Sequence, residues 1–149
     1  MAAREDGELV GYAIFVPSLK KVQRSALLSG AVFHWAWNTW RRGDLGWSAL
    51  SRLARNKALF IRSGRRFRSK GDAQLLNVAV APAAQGRGIA QQLISRGLAE
   101  MQALGIPEVR LEVRPWNAAA IAVYEKAGWR KAGATRDLEG EWMVMVANP

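Results

Sequence analysis

Strand and helix patterns alternate along this 149-residue sequence, and the alternation predicts an α/β fold. Three observations carry the prediction. Two short runs, ELVGYAIFV at 8–16 and AQLLNVAV at 73–80, have the Val, Leu, Ile and aromatic content of strands. A glycine-bearing loop leads from the second run straight into a helical pattern. A further strand, a capped helix and two more strands complete the chain.

The elements follow in order. Asp6-Gly7 marks a hairpin turn with only a stub of strand before it, and Pro17 stops the strand at Glu8–Val16. Ser18–Trp40 has helical character. Asp44 can cap a second helix through Ile61, which puts Trp47, Leu50, Leu53, Ala54, Ala58 and Ile61 at helical spacing. Ser63–Gly71 is a basic loop, and Ala73–Val80 is a buried strand. After the loop 81–87, a helix is expected over Gly88–Leu104, with Ile89, Leu93, Ile94, Leu98, Met101 and Leu104 on its apolar face. Gly105 and Pro107 stop it. Glu108–Val113 is a strand, Asn117 caps a helix to about Lys126, and Gly128 ends it. Trp129–Ala132 and Gly140–Val146 read as final strands.

Composition limits the chemistry. Hydrophobic residues are 50% and charged ones 23%, ordinary for one globular domain of this length. The absence of cysteine excludes a disulfide scaffold, a zinc–cysteine site and a cysteine nucleophile. One histidine, His34, leaves little for a metal site or a Ser-His-Asp triad, so no metal is expected. The charged opening MAAREDGE has no secretory apolar region, which suggests a cytoplasmic protein.

The net charge of +10 is uneven. Residues 18–70 hold thirteen Lys or Arg against Asp44 alone, a balance of +12, while the rest of the chain balances at −2. Four of the seven tryptophans, Trp35, Trp37, Trp40 and Trp47, lie in the same segment. We therefore read 18–70 as a basic, Trp-rich helical insertion within a single domain spanning 1–149. Ser25–Trp40 runs 16 residues without a charge, short of the roughly 20 that a membrane span needs. The insertion suits three roles: a helical pair capping the sheet, an interfacial surface for anionic lipid that would hold the protein peripherally at a membrane, or a nucleic-acid contact. His34, inside the uncharged run, reads as a core histidine.

The loop at 81–90 carries the chemistry. Gly86 and Gly88 stand just before a helix, whose first N–H groups have no internal partners and face an incoming anion. Arg87 adds a positive charge. A pyrophosphate suits such a site; a plain Gly-rich turn is the alternative. A Walker loop is absent, and Gln91 stands where a dinucleotide fingerprint needs its third glycine.

Gln85-x-x-Gly88-x-Ala90 resembles the Gln/Arg-x-x-Gly-x-Gly/Ala motif of the GNAT superfamily of acyl-CoA N-acyltransferases. LEVRPWNAAAIAVY at 111–124, followed by EKAGW, resembles that superfamily's next block. Within it, residues 72–147 are most similar to the bacterial ribosomal-protein-alanine N-acetyltransferases. The resemblance implies a mixed central sheet flanked by helices, and a fold of GNAT type. It implies that acetyl-CoA is the co-substrate, with its pantetheine arm in a gap beside Val78, Ala79 and Val80. Gln85, Gly86, Arg87, Gly88, Ile89, Ala90 and Gln91 would then hold the pyrophosphate. Asn117 matches an asparagine that contacts the arm; by itself it is a helix cap. Tyr124 matches the tyrosine that protonates the leaving thiolate; the plain alternative is a core tyrosine. Glu112, twelve positions earlier, matches the base that accepts the amine proton; the alternative is a carboxylate paired with Arg110 or Arg114 across a sheet face.

The implied activity is acetyl transfer to a primary amine by direct attack, with a protein or peptide N-terminus as acceptor. An aminoglycoside, polyamine or amino sugar is the alternative acceptor. The rival class is a degenerate, non-enzymatic module that binds membrane or nucleic acid through 18–70. The family usually places a strand, two helices and another strand before the hairpin, and those helices wall the acceptor site. This sequence opens almost at the hairpin. The expectation is that the insertion or a second subunit of a homodimer replaces that wall, or that the chain is a truncated form with weak activity.

Overall fold

The computed structural model describes residues 1–28, 55 and 71–149. Most of 18–70, including His34, the four tryptophans and the expected helix after Asp44, lies outside the described residues.

The elements are β1 (Ala2–Glu5), β2 (Glu8–Val16), α1 (Leu19–Leu28), β3 (Ala73–Val80), a 3-10 turn (Pro82–Ala84), α2 (Ile89–Ala103), β4 (Val109–Val113), α3 (Ala118–Lys126), β5 (Arg130–Asp137) and β6 (Gly140–Ala147). The strands form one mixed sheet in the order β1-β2-β3-β4-β6-β5, in which only β3 and β4 are parallel. Asp6 (φ 49°) and Gly7 (φ 84°) turn the first hairpin, and two positive φ values are what a two-residue loop between twisted strands requires.

Residue alternation sorts the two faces. Val109, Leu111 and Val113 of β4 are buried with Ala73 and Leu75 of β3 and Met145 of β6 in one core, against Ile89, Leu93, Ile94 and Met101 of α2. Arg110 and Glu112 therefore look to the opposite face. A bulge at Leu76 of β3, the extra residue left where Ile14 pairs with Asn77 and Phe15 with Leu75, shifts the alternation along β3. It brings Val78 and Val80 onto the face of Leu75, toward α2, and leaves Ala79 on the other.

α2 and α3 end in the same device. Gly105 (φ 68°) and Gly128 (φ 84°) follow them, with bonds from Ile106 N to Met101 O (3.0 Å) and Trp129 N to Tyr124 O (3.0 Å). These are the six-to-one bonds of a Schellman ending. At Gly97 a Cβ would overlap the Phe15 ring, so glycine lets α2 lie close to β2.

Two expectations need correcting. Leu104 is 61% exposed, because Gly105 turns the chain before it can face the core. The strand expected at Trp129–Ala132 runs instead over Arg130–Asp137; its polar composition hid it, and pairing with β6 from Arg130↔Val146 to Asp137↔Gly140 forms it. The ends of the 18–70 segment meet. β2 and β3 are antiparallel neighbours, Ser18 Oγ donates to Asp72 Oδ2 (2.8 Å), and the Leu19 and Lys20 N–H groups donate to Asp72 O and Oδ2 (3.0 Å each). No helix among the described residues is long and apolar enough to cross a membrane.

Candidate active site

β3 and β4 pair only at Ala73↔Val109 and Gln74↔Arg110. Beyond Gln74 the strands part, so Leu75–Val80 has β2 on one side and, among the described residues, no strand ladder on the other. Backbone groups on a free edge can bond an extended ligand with amides of its own. α2 and α3 roof the opening. The result is a cleft of about 560 Å³, lined by Val78 and Val80 of β3, the loop and first turn of α2, Ile94, and Ala119, Ala120, Val123, Tyr124 and Lys126 of α3.

The loop turns on two glycines into the start of α2. Gly86 (φ 77°) and Gly88 (φ 78°) are both left-handed, a conformation costly to side-chain-bearing residues. Gly88 caps α2, and the first intrahelical bond runs from Gln92 N to Gly88 O (3.0 Å). The N–H groups of Ile89, Ala90 and Gln91 therefore have no helical acceptor and stand at the positive end of a 15-residue helix. Gln85 steadies the loop by donating from Nε2 to Val80 O (3.2 Å). A pyrophosphate fits these donors, and an extended amide arm fits the free edge of β3.

Among the sequence-selected residues, Val78, Val80, Gln85, Gly86, Gly88, Ile89, Ala90, Gln91 and Tyr124 line the cleft; Ala79, Arg87, Asn117 and Glu112 do not. Ala79 faces the other side of the sheet, so only its backbone is at the free edge. The Arg87 guanidinium lies bidentate on Glu5, with Nη2–Oε1 2.7 Å and Nη1–Oε2 2.9 Å. Asn117 Oδ1 accepts from Ala120 N (3.1 Å) and caps α3; its amide donors are not spent on that bond. Sequence reasoning missed Lys126, the one cation among the described residues lining the cleft, and the small side chains of Ala119 and Ala120. The signal was the helical spacing of 119, 120, 123 and 124, which puts all four on the face that carries Tyr124.

The Schellman ending of α3 fixes Tyr124. Trp129, buried to 3% exposure, packs its ring against the Tyr124 ring, with centroids 6.1 Å apart and planes tilted by 55°. Burial raises the phenol above its ordinary pKa, so it holds its proton at neutral pH. Glu112 is on the opposite face of β4, where Arg110 Nη2 donates to its Oε1. Burial raises its carboxyl above the usual value, the Arg110 cation opposes that rise, and Asp137 adds a smaller upward push. Beside it, Arg114 lies 3.7 Å over the Trp142 ring and 5.4 Å from that of Trp116, and bonds Glu139 Oε2 (2.9 Å). Trp142 Nε1 donates to Asp137 Oδ2 (2.7 Å), the main cause of that carboxyl's lowered pKa. The opening between β3 and β4 thus has a cleft with unpaired helix N–H donors and a protonated phenol on one face, and the Glu112 carboxyl on the other.

The family model described as the Acetyltransferase (GNAT) family matches residues 1–129. The chain is 41% identical over 66 residues to a ribosomal protein bS18-alanine N-acetyltransferase of Salmonella typhimurium, a stretch that is 44% of this chain and 45% of that protein. It is 46% identical over 55 residues to a mycothiol acetyltransferase of Nocardioides sp., covering 37% of this chain and 19% of that one. The matched stretch spans less than half the length of either relative. The fold is similar to that of a ribosomal-protein-alanine N-acetyltransferase from Brucella melitensis, with a TM-score of 0.57 at 18% identity over 99% of this chain and 67% of that one. With most of its length matched by that model, this chain belongs to the Acetyltransferase (GNAT) family.

Proposed function

We propose that this chain transfers the acetyl group of acetyl-CoA to a primary amine, and that the amine is a protein or peptide N-terminus. The observation that supports this best is the parting of β3 and β4 beside the anion-binding start of α2, with Tyr124 on one face and Glu112 on the other. The cofactor's phosphates meet the N–H groups of 89–91, and its pantetheine arm lies along Val78–Val80. The thioester then sits in the opening, and the amine approaches from the Glu112 face. Asn117, through its remaining amide donors, steadies the arm.

The amine must be neutral to attack. Glu112, directly or through one water, takes its proton. The nitrogen attacks the thioester carbonyl, the C–N bond forms and the C–S bond breaks. Tyr124 gives its proton to the departing thiolate, whose basicity its own approaches. Alignment of the two reactants supplies much of the rate, and no covalent enzyme intermediate is required. The likeness to ribosomal protein bS18-alanine N-acetyltransferases supports a protein N-terminus. A small-molecule amine is the second reading, supported by the likeness to a mycothiol acetyltransferase.

The test is acetyl-CoA-dependent thiol release with a panel of short peptides of varied first residue, alongside polyamines and amino sugars. Peptide-dependent release, with the product's mass raised at its N-terminus, supports the first reading. Release with small amines alone supports the second. Release with neither overturns the enzyme and directs attention to polyanion binding through 18–70.

A further inference from the structure

The tip of the first hairpin is acidic, and it sits against the anion-binding loop. Glu5 and Glu8 are cross-strand partners with Asp6 between them, so like charges face one another, an arrangement that costs stability unless a cation offsets it. Among the described residues, two cations stand there: Arg4, whose Nη1 donates to Gly7 O at the turn (3.0 Å), and, on Glu5 itself, Arg87, 82 residues away in sequence. Its planar fork takes both oxygens of Glu5, at 2.7 Å and 2.9 Å. Neither side chain is buried, at 54% and 41% exposure, so the pair is held by charge and geometry rather than by packing.

The placement runs against the loop's apparent purpose. Gly86 and Gly88 shape the backbone for an anion, and Arg87, between them, is positioned to add a full charge to that field. Glu5 cancels it. We infer that Glu5 is an affinity-setting residue: by engaging Arg87 it keeps that charge from the cofactor's phosphates, which weakens cofactor binding and speeds release of the CoA product. The inference rests on reading the cleft as an acyl-CoA site. It concerns how tightly that site binds rather than what it does.

The experiment is calorimetric titration of CoA into the wild-type chain and the variants Glu5→Gln, Arg87→Gln and the double variant, at low and at high salt. Glu5→Gln is expected to bind CoA about two- to fivefold more tightly at low salt, the scale of an exposed ion pair. The gain should vanish near 1 M salt, where the screening length falls to about 3 Å. It should also vanish between Arg87→Gln and the double variant, because Glu5 then has no Arg87 to withhold. Pantetheine, which lacks the phosphates, should bind wild type and Glu5→Gln alike. Unchanged or weaker CoA binding by Glu5→Gln overturns the inference while leaving the site intact. A gain that persists without Arg87, or that extends to pantetheine, overturns it as well. Failure of the wild-type chain to bind CoA overturns the acyl-CoA reading itself, a separate and visible result.

Discussion

Two titratable side chains, Tyr124 and Glu112, divide the proposed proton traffic, and their surroundings suit the division. Burial keeps the phenol protonated, so it can give. Tyr124→Phe should lower kcat by about 100- to 10,000-fold, the usual contribution of a general acid, with cofactor affinity nearly unchanged. Glu112 is pushed up by burial and drawn down by Arg110. With Arg110→Gln the second influence goes, the carboxyl titrates higher, and the acid limb of kcat/KM should move to higher pH; an unmoved limb would remove Glu112 from the base role. The twelve-residue spacing of these side chains was legible in the sequence; the partner of Glu112 was narrowed there to Arg110 or Arg114, and the structure pairs it with Arg110 while Arg114 turns to Asp137 and Glu139. The bidentate Glu5–Arg87 pair was not, because nothing local links residues 82 apart.

Elements set how precisely those groups are held. Gly128 turns the end of α3 so that Trp129 packs on Tyr124. Gly128→Ala, at φ 84°, should cost about 1–2 kcal/mol and reduce kcat more than cofactor affinity. At the start of α2, Gly88→Val should weaken acetyl-CoA binding; no side chain among the described residues crowds that position, so the cause is the left-handed backbone. Gly97→Ala should lower Tm although alanine favours helices by about 1 kcal/mol, because overpacking against Phe15 costs about 1–3 kcal/mol. β3 was legible to the residue from its apolar run and its flanking signals. The bulge within it was not, since Leu75 and Leu76 are both good strand residues and only pairing reveals the shift. β5 was foreshortened for the same reason: Arg130–Asp137 is a strand because β6 lies beside it.

At the scale of the whole molecule, one sheet serves both halves of the proposed reaction, cofactor on the face of α2 and α3, acceptor on the face of Glu112. The basic segment leaves and rejoins this sheet at one point, where Ser18 caps α1 and bonds Asp72. Ser18 and Lys20 hold the Asp72 carboxyl below its usual range, so the clamp is in place above the ordinary aspartate pKa and is lost as pH falls through the lowered value. Replacing 18–70 by a short turn should abolish any binding to anionic vesicles or RNA and leave acetyl-CoA binding intact; that outcome would assign polyanion binding to the insertion. The charge imbalance was plain in the sequence, but which surface it serves depends on partners that composition does not identify. An acyl-CoA site formed by the parted strands and the start of α2 must take up acetyl-CoA, which calorimetric titration of the purified chain measures. Saturable one-site binding, weakened in Gly88→Val, is the predicted result; a folded chain that takes up no acetyl-CoA would contradict it.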